Sequence, residues 1–230
     1  MFSSILTLIS KEIANFAHKI DNMAKLTKEQ HEFPLARIEG LLPMVSDNSL
    51  DLKTLREFCK REGEVVTYYK GDQMEREGDP TRWFALVEDG CFKYLTYGIS
   101  DDKEHVVWFS FKDEFVGDYP ACLSGLPAQI TIKATMPSRV IRITGEQLNQ
   151  FFDQNIETME LRSLIAEHMT DQFRLGYQNF YCATPRERYK LLLQRCPDIM
   201  QDVAMQDIAS FLNIAPTYLG KLRKEYVHTR

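Results

Sequence analysis

The sequence predicts an α+β protein in three parts: an N-terminal β-roll or jelly roll, one long helix, and a C-terminal helix-turn-helix. Three observations carry this. Short β-branched and aromatic runs fill the stretch from Gly63 to Ile143, broken by turn dipeptides. A helical pattern without proline then runs from Ile156 to Phe180. Last, two short amphipathic segments flank Asn213-Ile214-Ala215. With 230 residues, 44% of them apolar and 27% charged, the chain has the composition of a globular protein and not of a disordered one.

Residues 1–48 form a helical N-terminal extension in this reading. Ile5, Leu8, Ile9, Ile13, Phe16 and Ile20 recur at helical spacing, as on a packing or dimerisation face. Only Lys11 and Lys19 are basic along it, which disfavours a membrane-surface helix. MFSSILTLIS has no basic residue ahead of its apolar run and makes a poor signal peptide. No apolar run reaches the ~18 residues of a membrane span. A cytoplasmic protein without membrane contact is expected.

The second part, 49–153, opens with a short helix over 51–60. Its strand candidates are 65–69, 82–87, 91–97, 104–111, 130–135 and 139–143. Turn signals separate them at Lys70-Gly71, Gly78-Asp79-Pro80, Asp89-Gly90 and Ser100-Asp101-Asp102. Many short strands with regular turns favour a small barrel or jelly roll over a parallel sheet. GEQLNQFF, 145–152, returns to helix.

The third part, 154–182, is the long helix, about 37 Å at 1.5 Å per residue. Leu161, Ile165, Met169, Phe173 and Tyr177 are read as one apolar face, widened by Leu164, Leu175 and Phe180. So wide a face on so long a helix predicts pairing with a second copy across a two-fold axis.

In the last part, 183–230, Thr184-Pro185-Arg186-Glu187 is a helix start with cap, proline and capping-box glutamate in order. That helix should end near Arg195, ahead of Pro197, with two more over about 204–212 and 216–225. From Pro185 onward eight basic residues face five acidic ones, a net +3 that leaves −8 on the rest of a chain whose total is −5. An acidic body with a basic end suggests a nucleic-acid-binding tail.

Met205 to Lys224 carries the helix-turn-helix spacing. Ile208, Ala209 and Leu212 supply the buried face of the first helix, and Asn213 suits the left-handed backbone of a tight turn. Ile214 plugs the angle, Pro216 opens the second helix, and Leu219 and Leu222 pack it inward. Thr217, Tyr218, Lys221 and Arg223 are left to face a major groove.

On these residues the chain resembles the Crp/Fnr family of bacterial transcription regulators, over about 50–227. The matching pieces are Lys70-Gly71, Arg76-Glu77-Gly78-Asp79, Asp89-Gly90 and Phe115-Val116-Gly117-Asp118, which is similar to the Phe-x-Gly-Glu element that opens the family's phosphate-binding cassette. The tail IAPTYLGKLRK is similar to that of members from Bacteroidetes-like bacteria. The resemblance implies a cyclic-nucleotide-binding-like sensor, a homodimer, and double-stranded operator DNA as partner, with RNA polymerase a candidate further partner. Thr217, Tyr218 and Lys221 become the candidates for base edges. Arg223 and Lys224 become phosphate contacts, beside Pro216 at the helix start. Members often carry Glu where Thr217 stands, so the family's known operators do not transfer.

The candidate ligand pocket comprises Phe115, Gly117, Asp118, Tyr119, Ala128 and Gln129. Cyclic-nucleotide-binding members place a Glu where Asp118 stands, an Arg where Ala128 stands and a Ser or Thr where Gln129 stands. No Arg or Lys lies between Lys112 and Lys133. An enclosed phosphate without its cation loses roughly 3–5 kcal/mol. Cyclic AMP and cyclic GMP are therefore not expected to bind tightly, the effector is left open, and Phe111, Phe115, Tyr119 and Leu123 are expected to fill the pocket with protein.

No metal, other cofactor or enzymatic activity is expected. The cysteines 59, 91, 122, 182 and 196 are odd in number and lack a CxxC, reading as reduced thiols. The five histidines are scattered, so neither haem at His105 or His168 nor a cupin metal site is indicated. The alternative is a small-molecule sensor that acts through protein partners without specific DNA binding.

Overall fold

Apolar residues on both sides of the central strands decide the architecture, because each strand must be covered on both faces. The computed structural model describes residues 51–99 and 101–227, with side chains to Glu225; the extension expected over 1–48 lies outside them. The described elements run α1 Lys53–Glu62, β1 Glu64–Tyr68, β2 Gln73–Glu75, β3 Trp83–Asp89, β4 Cys91–Tyr97, β5 Glu104–Phe111, β6 Phe115–Gly117, α2 Ala121–Ser124, β7 Thr131–Ala134, β8 Ser138–Thr144, α3 Gly145–Phe152, α4 Ile156–Cys182, α5 Pro185–Arg195, α6 Ile199–Asp202, α7 Met205–Phe211 and α8 Pro216–Val227.

The strands make two antiparallel four-stranded sheets, in order β1-β8-β3-β6 and β2-β7-β4-β5. Between them lies a core of Ala85, Val87, Phe92, Val116, Ile132 and Val140 with their neighbours. Period two sends the alternate residues outward. Phe84, Leu86, Ile141 and Ile143 leave the first sheet toward Leu55, Phe58 and Cys59 of α1 and Leu148, Phe151 and Phe152 of α3. Cys91, Leu95, Val106, Phe109 and Phe111 leave the second sheet toward the C-terminal helices. Each fully buried aromatic or aliphatic side chain contributes roughly 1.5–3 kcal/mol.

Capping boxes open three helices: Thr144 with Gln147, Asn155 with Thr158, and Thr184 with Glu187. The last of these includes Pro185, as its sequence predicts. Among the described residues no helix is long and apolar enough to cross a membrane.

Candidate functional site

The cassette is built around a glycine that allows close approach. A Cβ on Gly117 would lie 2.9 Å from the Trp83 carbonyl oxygen, so a side chain there would push β6 off β3. Its N–H donates to the Tyr94 hydroxyl at 3.2 Å. That hydroxyl lies within hydrogen-bonding distance of Ser110 Oγ at 3.1 Å, and Ser110 donates to the Phe115 carbonyl. Burial pushes the Tyr94 phenol up to about 12. The sequence reading missed this anchor, although Tyr94 and Ser110 stand two of the few polar groups on otherwise apolar strands.

Asp118 and Gln129 come together: the Gln129 N–H donates to Asp118 Oδ2 at 2.9 Å. Ala128 is buried, and both its backbone groups are taken by the 78–79 turn, its N–H donating to Asp79 O at 2.7 Å and its carbonyl accepting from Gly78 N at 2.9 Å. Lys133 is committed to Glu104 at 2.8 Å. Beside the cassette, Glu75 is buried and accepts the N–H groups of Arg82 and Trp83 at 3.2 and 3.0 Å. Burial raises its carboxyl above the usual value, and the charge of Asp118 adds to this.

Phe115, Tyr119 and Leu123 lie outside the core between the sheets. They pack on the outer face of the first sheet, where Phe115 stacks on Phe84 with centroids 5.0 Å apart. Phe111 likewise leaves through the outer face of the second sheet. Val116 points inward, so period two turns its neighbour Phe115 out.

At the C-terminus, α7 and α8 are joined by a tight turn. Asn213 has φ of 50°, and the Ile214 N–H donates back to the Ala209 carbonyl at 3.0 Å. Ile208, Ala209, Leu212, Leu219 and Leu222 are buried and Ile214 packs against them. Pro216, Thr217, Tyr218, Lys221, Arg223 and Lys224 are all exposed. At about 100° per residue, Thr217, Lys221 and Lys224 sit opposite Leu219 and Leu222, while Tyr218 and Arg223 flank that face.

The long helix divides differently from its reading in the sequence. Leu161 and Ile165 pack against the β domain's own α1–α3 core. Met169 is half-buried, whereas Phe173 and Tyr177 are 70% and 66% exposed. The reason is geometric. Residues four apart overshoot a full turn by about 40°, so a ladder of four such steps sweeps about 160° around the helix. A different set lies exposed along one stripe: Ile156, Met159, Ser163, Ala166, Thr170, Phe173, Tyr177 and Phe180. These alternate at spacings of three and four, the 3.5-residue period of a coiled-coil seam. Its two aliphatic hydroxyls are already used within the helix, Thr170 donating to Ala166 O at 2.8 Å and Ser163 to Met159 O at 3.5 Å.

A contact that the sequence did not reveal joins the second sheet to the C-terminal helices. Arg195 of α5 reaches Glu114 at 2.7 Å, donates to the Phe109 carbonyl at 2.8 Å, and lies 4.3 Å from the centre of the Trp108 ring. Lys93 pairs with Asp207 at 2.8 Å, and the Val106 N–H donates to Ser210 Oγ at 3.0 Å. Phe211 meets Trp108 and Phe109 edge-on. Pairing across 80 and more residues has no local signature.

Among the described residues no three histidine, cysteine or carboxylate side chains gather as a metal site. His105 lies 3.0 Å from Asp101, and His168 lies 3.3 Å from Gln172.

Residues 65–155 match the family described as cyclic nucleotide-binding domain. Among solved structures, FixK2 from Bradyrhizobium japonicum is 15% identical, with 73% of this chain and 85% of that one covered at a TM-score of 0.59. The c-di-GMP responsive global regulator CLP of Xanthomonas campestris is 17% identical, with 78% and 93% covered at 0.55. No curated protein matches the sequence. The match over residues 65–155 is thus to the cyclic nucleotide-binding domain family, and the fold of the chain is similar to those of FixK2 and CLP.

Proposed function

We propose that this protein is a dimeric, sequence-specific DNA-binding transcription regulator of the Crp/Fnr type, working in the cytoplasm, whose sensor takes neither cyclic AMP nor cyclic GMP tightly. The observation that carries it is the outward face of α8, where Thr217, Tyr218, Lys221 and Lys224 are exposed around buried Leu219 and Leu222. A helix held this way by a left-handed turn on a partner helix is suited to a major groove. The exposed seam of α4 supports a parallel pair that presents two such helices to a two-fold-related operator. RNA polymerase is a candidate partner on DNA. The weak cyclic-nucleotide binding is supported by the absence of Arg and Lys between Lys112 and Lys133 and by the carboxylate of Asp118 beside Gln129.

The test is selection of binding sites from random duplex DNA with the full chain, followed by titration at several salt concentrations. Paired half-sites about one helical turn apart, with affinity falling steeply as salt rises, are the expected result. Lys221→Ala should weaken one base position, and Lys224→Ala should lower the salt slope by about 1. Selection of no sequence, or a flat salt response, would overturn the reading in favour of a sensor acting through protein partners. Cyclic AMP, cyclic GMP and c-di-GMP, the last because CLP responds to it, are the probes for an effector.

A further inference from the structure

We propose that Arg188 is the positioning residue that sets the separation of the two recognition helices, and hence the half-site spacing of the operator; this rests on the DNA-binding reading above. Arg188 lies in the first turn of α5, between the long helix and the α7–α8 pair. Its Nη1 donates to the carbonyls of Phe180 at 3.1 Å and Ala183 at 2.7 Å. Its Nη2 donates to the carbonyl of Leu212 at 3.0 Å. Phe180 is the last residue of the α4 seam, and Leu212 is the last before the turn that leads to α8. One guanidinium therefore spans the end of the dimer seam and the end of the helix that carries the recognition helix.

The chemistry suits rigid positioning. All three acceptors lie at the C-terminal ends of helices, where carbonyls lack helical partners and the dipole favours a cation. The fork of the guanidinium fixes the angle between two acceptor groups, which a lysine cannot do. Its Cζ lies 5.7 Å from the centre of the Phe180 ring, and Nε is buried without a hydrogen-bond partner in the protein. Only Ala183 and Thr184 separate α4 from α5, so the backbone leaves a short pivot and Arg188 closes it. A base-pair step is about 3.4 Å. Displacement of one recognition helix by that much changes the spacing a dimer can span by one base pair.

Site selection from random duplex DNA, run in parallel on the wild-type chain, Arg188→Gln and Arg188→Lys, tests this. Both variants should select the same half-site as the wild type, with separations spread over neighbouring values. Affinity for the wild-type operator should fall about ten- to a hundred-fold, the loss of hydrogen bonds from a charged donor. A purely structural role would lower the melting temperature and leave the separation sharp. A folded, dimeric Arg188→Gln that keeps the single wild-type separation overturns the proposal. If Arg188→Gln does not fold, Arg188→Lys, which retains the charge, decides in the same way. A wild type that selects no paired half-sites removes the DNA-binding reading and this inference with it, whereas an unchanged variant spacing removes this inference alone.

Discussion

Arg195 and Glu114 meet at 2.7 Å across the junction of the β domain and the C-terminal helices, with side chains only 11% and 12% exposed. Both groups have further partners. Glu114 Oε2 also accepts the Phe111 N–H at 3.0 Å, and Arg195 also serves the Phe109 carbonyl. The pair sits in an apolar core that runs from Cys91 and Phe109 to Ile208, Leu219 and Leu222 without interruption. The C-terminal helices are therefore packed on the second sheet as part of one core.

From this pair comes the first prediction. Glu114→Ala strands the Arg195 charge and should cost about 3–5 kcal/mol. Because the junction weakens before either side does, thermal unfolding of the variant should be broader than that of the wild type, or split, in scanning calorimetry. The double variant Glu114→Leu with Arg195→Met should recover most of the loss, since an apolar pair suits an apolar core. Equal stability of Glu114→Ala and wild type would show that the pair is not closed in solution.

Phe173 and Leu161 give the second. Both belong to the apolar face read from the sequence, yet only Phe173 lies on the exposed three-four stripe. Phe173→Glu should yield a folded monomer in sedimentation velocity. Leu161→Ala should leave the dimer intact and lose about 1–2 kcal/mol of stability, less than a fully buried leucine. A dimer that survives Phe173→Glu would place the interface elsewhere.

These two residues also show how far the sequence could be read. Strands at 91–97 and 104–111, the helix at 145–152 and the start at Thr184 were legible because each has a local cause: β-branched runs, a capping box, a proline at the first position. The strands Gln73–Glu75 and Phe115–Gly117 were not, since three residues cannot display a period. Asn213 and the buried Ile208, Leu219 and Leu222 were legible because a tight turn between two short helices restricts every position. The apolar face read along α4 divides between buried and exposed residues because a four-residue ladder drifts around a helix of 3.6 residues per turn. The contacts of Tyr94, Arg188 and Arg195 were invisible, for their partners (the Gly117 N–H and Ser110 hydroxyl, three backbone carbonyls, and the Glu114 carboxylate) are brought near only by the tertiary fold.

Glu75 supplies the third prediction, on pH. Its buried carboxyl titrates above the ordinary value of 4.5. Below that value it is protonated in both folded and unfolded chains. As pH rises from there the unfolded chain ionises first, so the stability linked to the protonated form is lost through the folded value. Glu75→Gln keeps an oxygen for the two N–H groups of Arg82 and Trp83 and carries no charge. It should match the wild type near pH 4 and exceed it at pH 7 in denaturant titrations. A variant less stable at pH 7 would show that the carboxylate charge is stabilised by its surroundings.

The fourth concerns the cassette. Asp118 accepts the Gln129 N–H, and the Ala128 backbone is held by Gly78 and Asp79, so a cyclic phosphate entering here would displace hydrogen bonds and face a carboxylate. Lacking its cation it would bind on the order of a hundred- to a thousand-fold more weakly than in a site that has one. A ligand stabilises only as its concentration exceeds its dissociation constant. About 1 mM cyclic AMP or cyclic GMP should thus leave the melting temperature unchanged, and calorimetric titration should show no saturable heat. The Asp118→Ala variant separates the two contributions: it removes the repelling carboxylate but supplies no cation. If the missing cation dominates, that variant too stays unresponsive. A melting temperature that climbs with cyclic nucleotide in the wild type would mean that an arginine outside the cassette, such as Arg82 beside Glu75 or Arg162 beside Tyr119, supplies the missing charge.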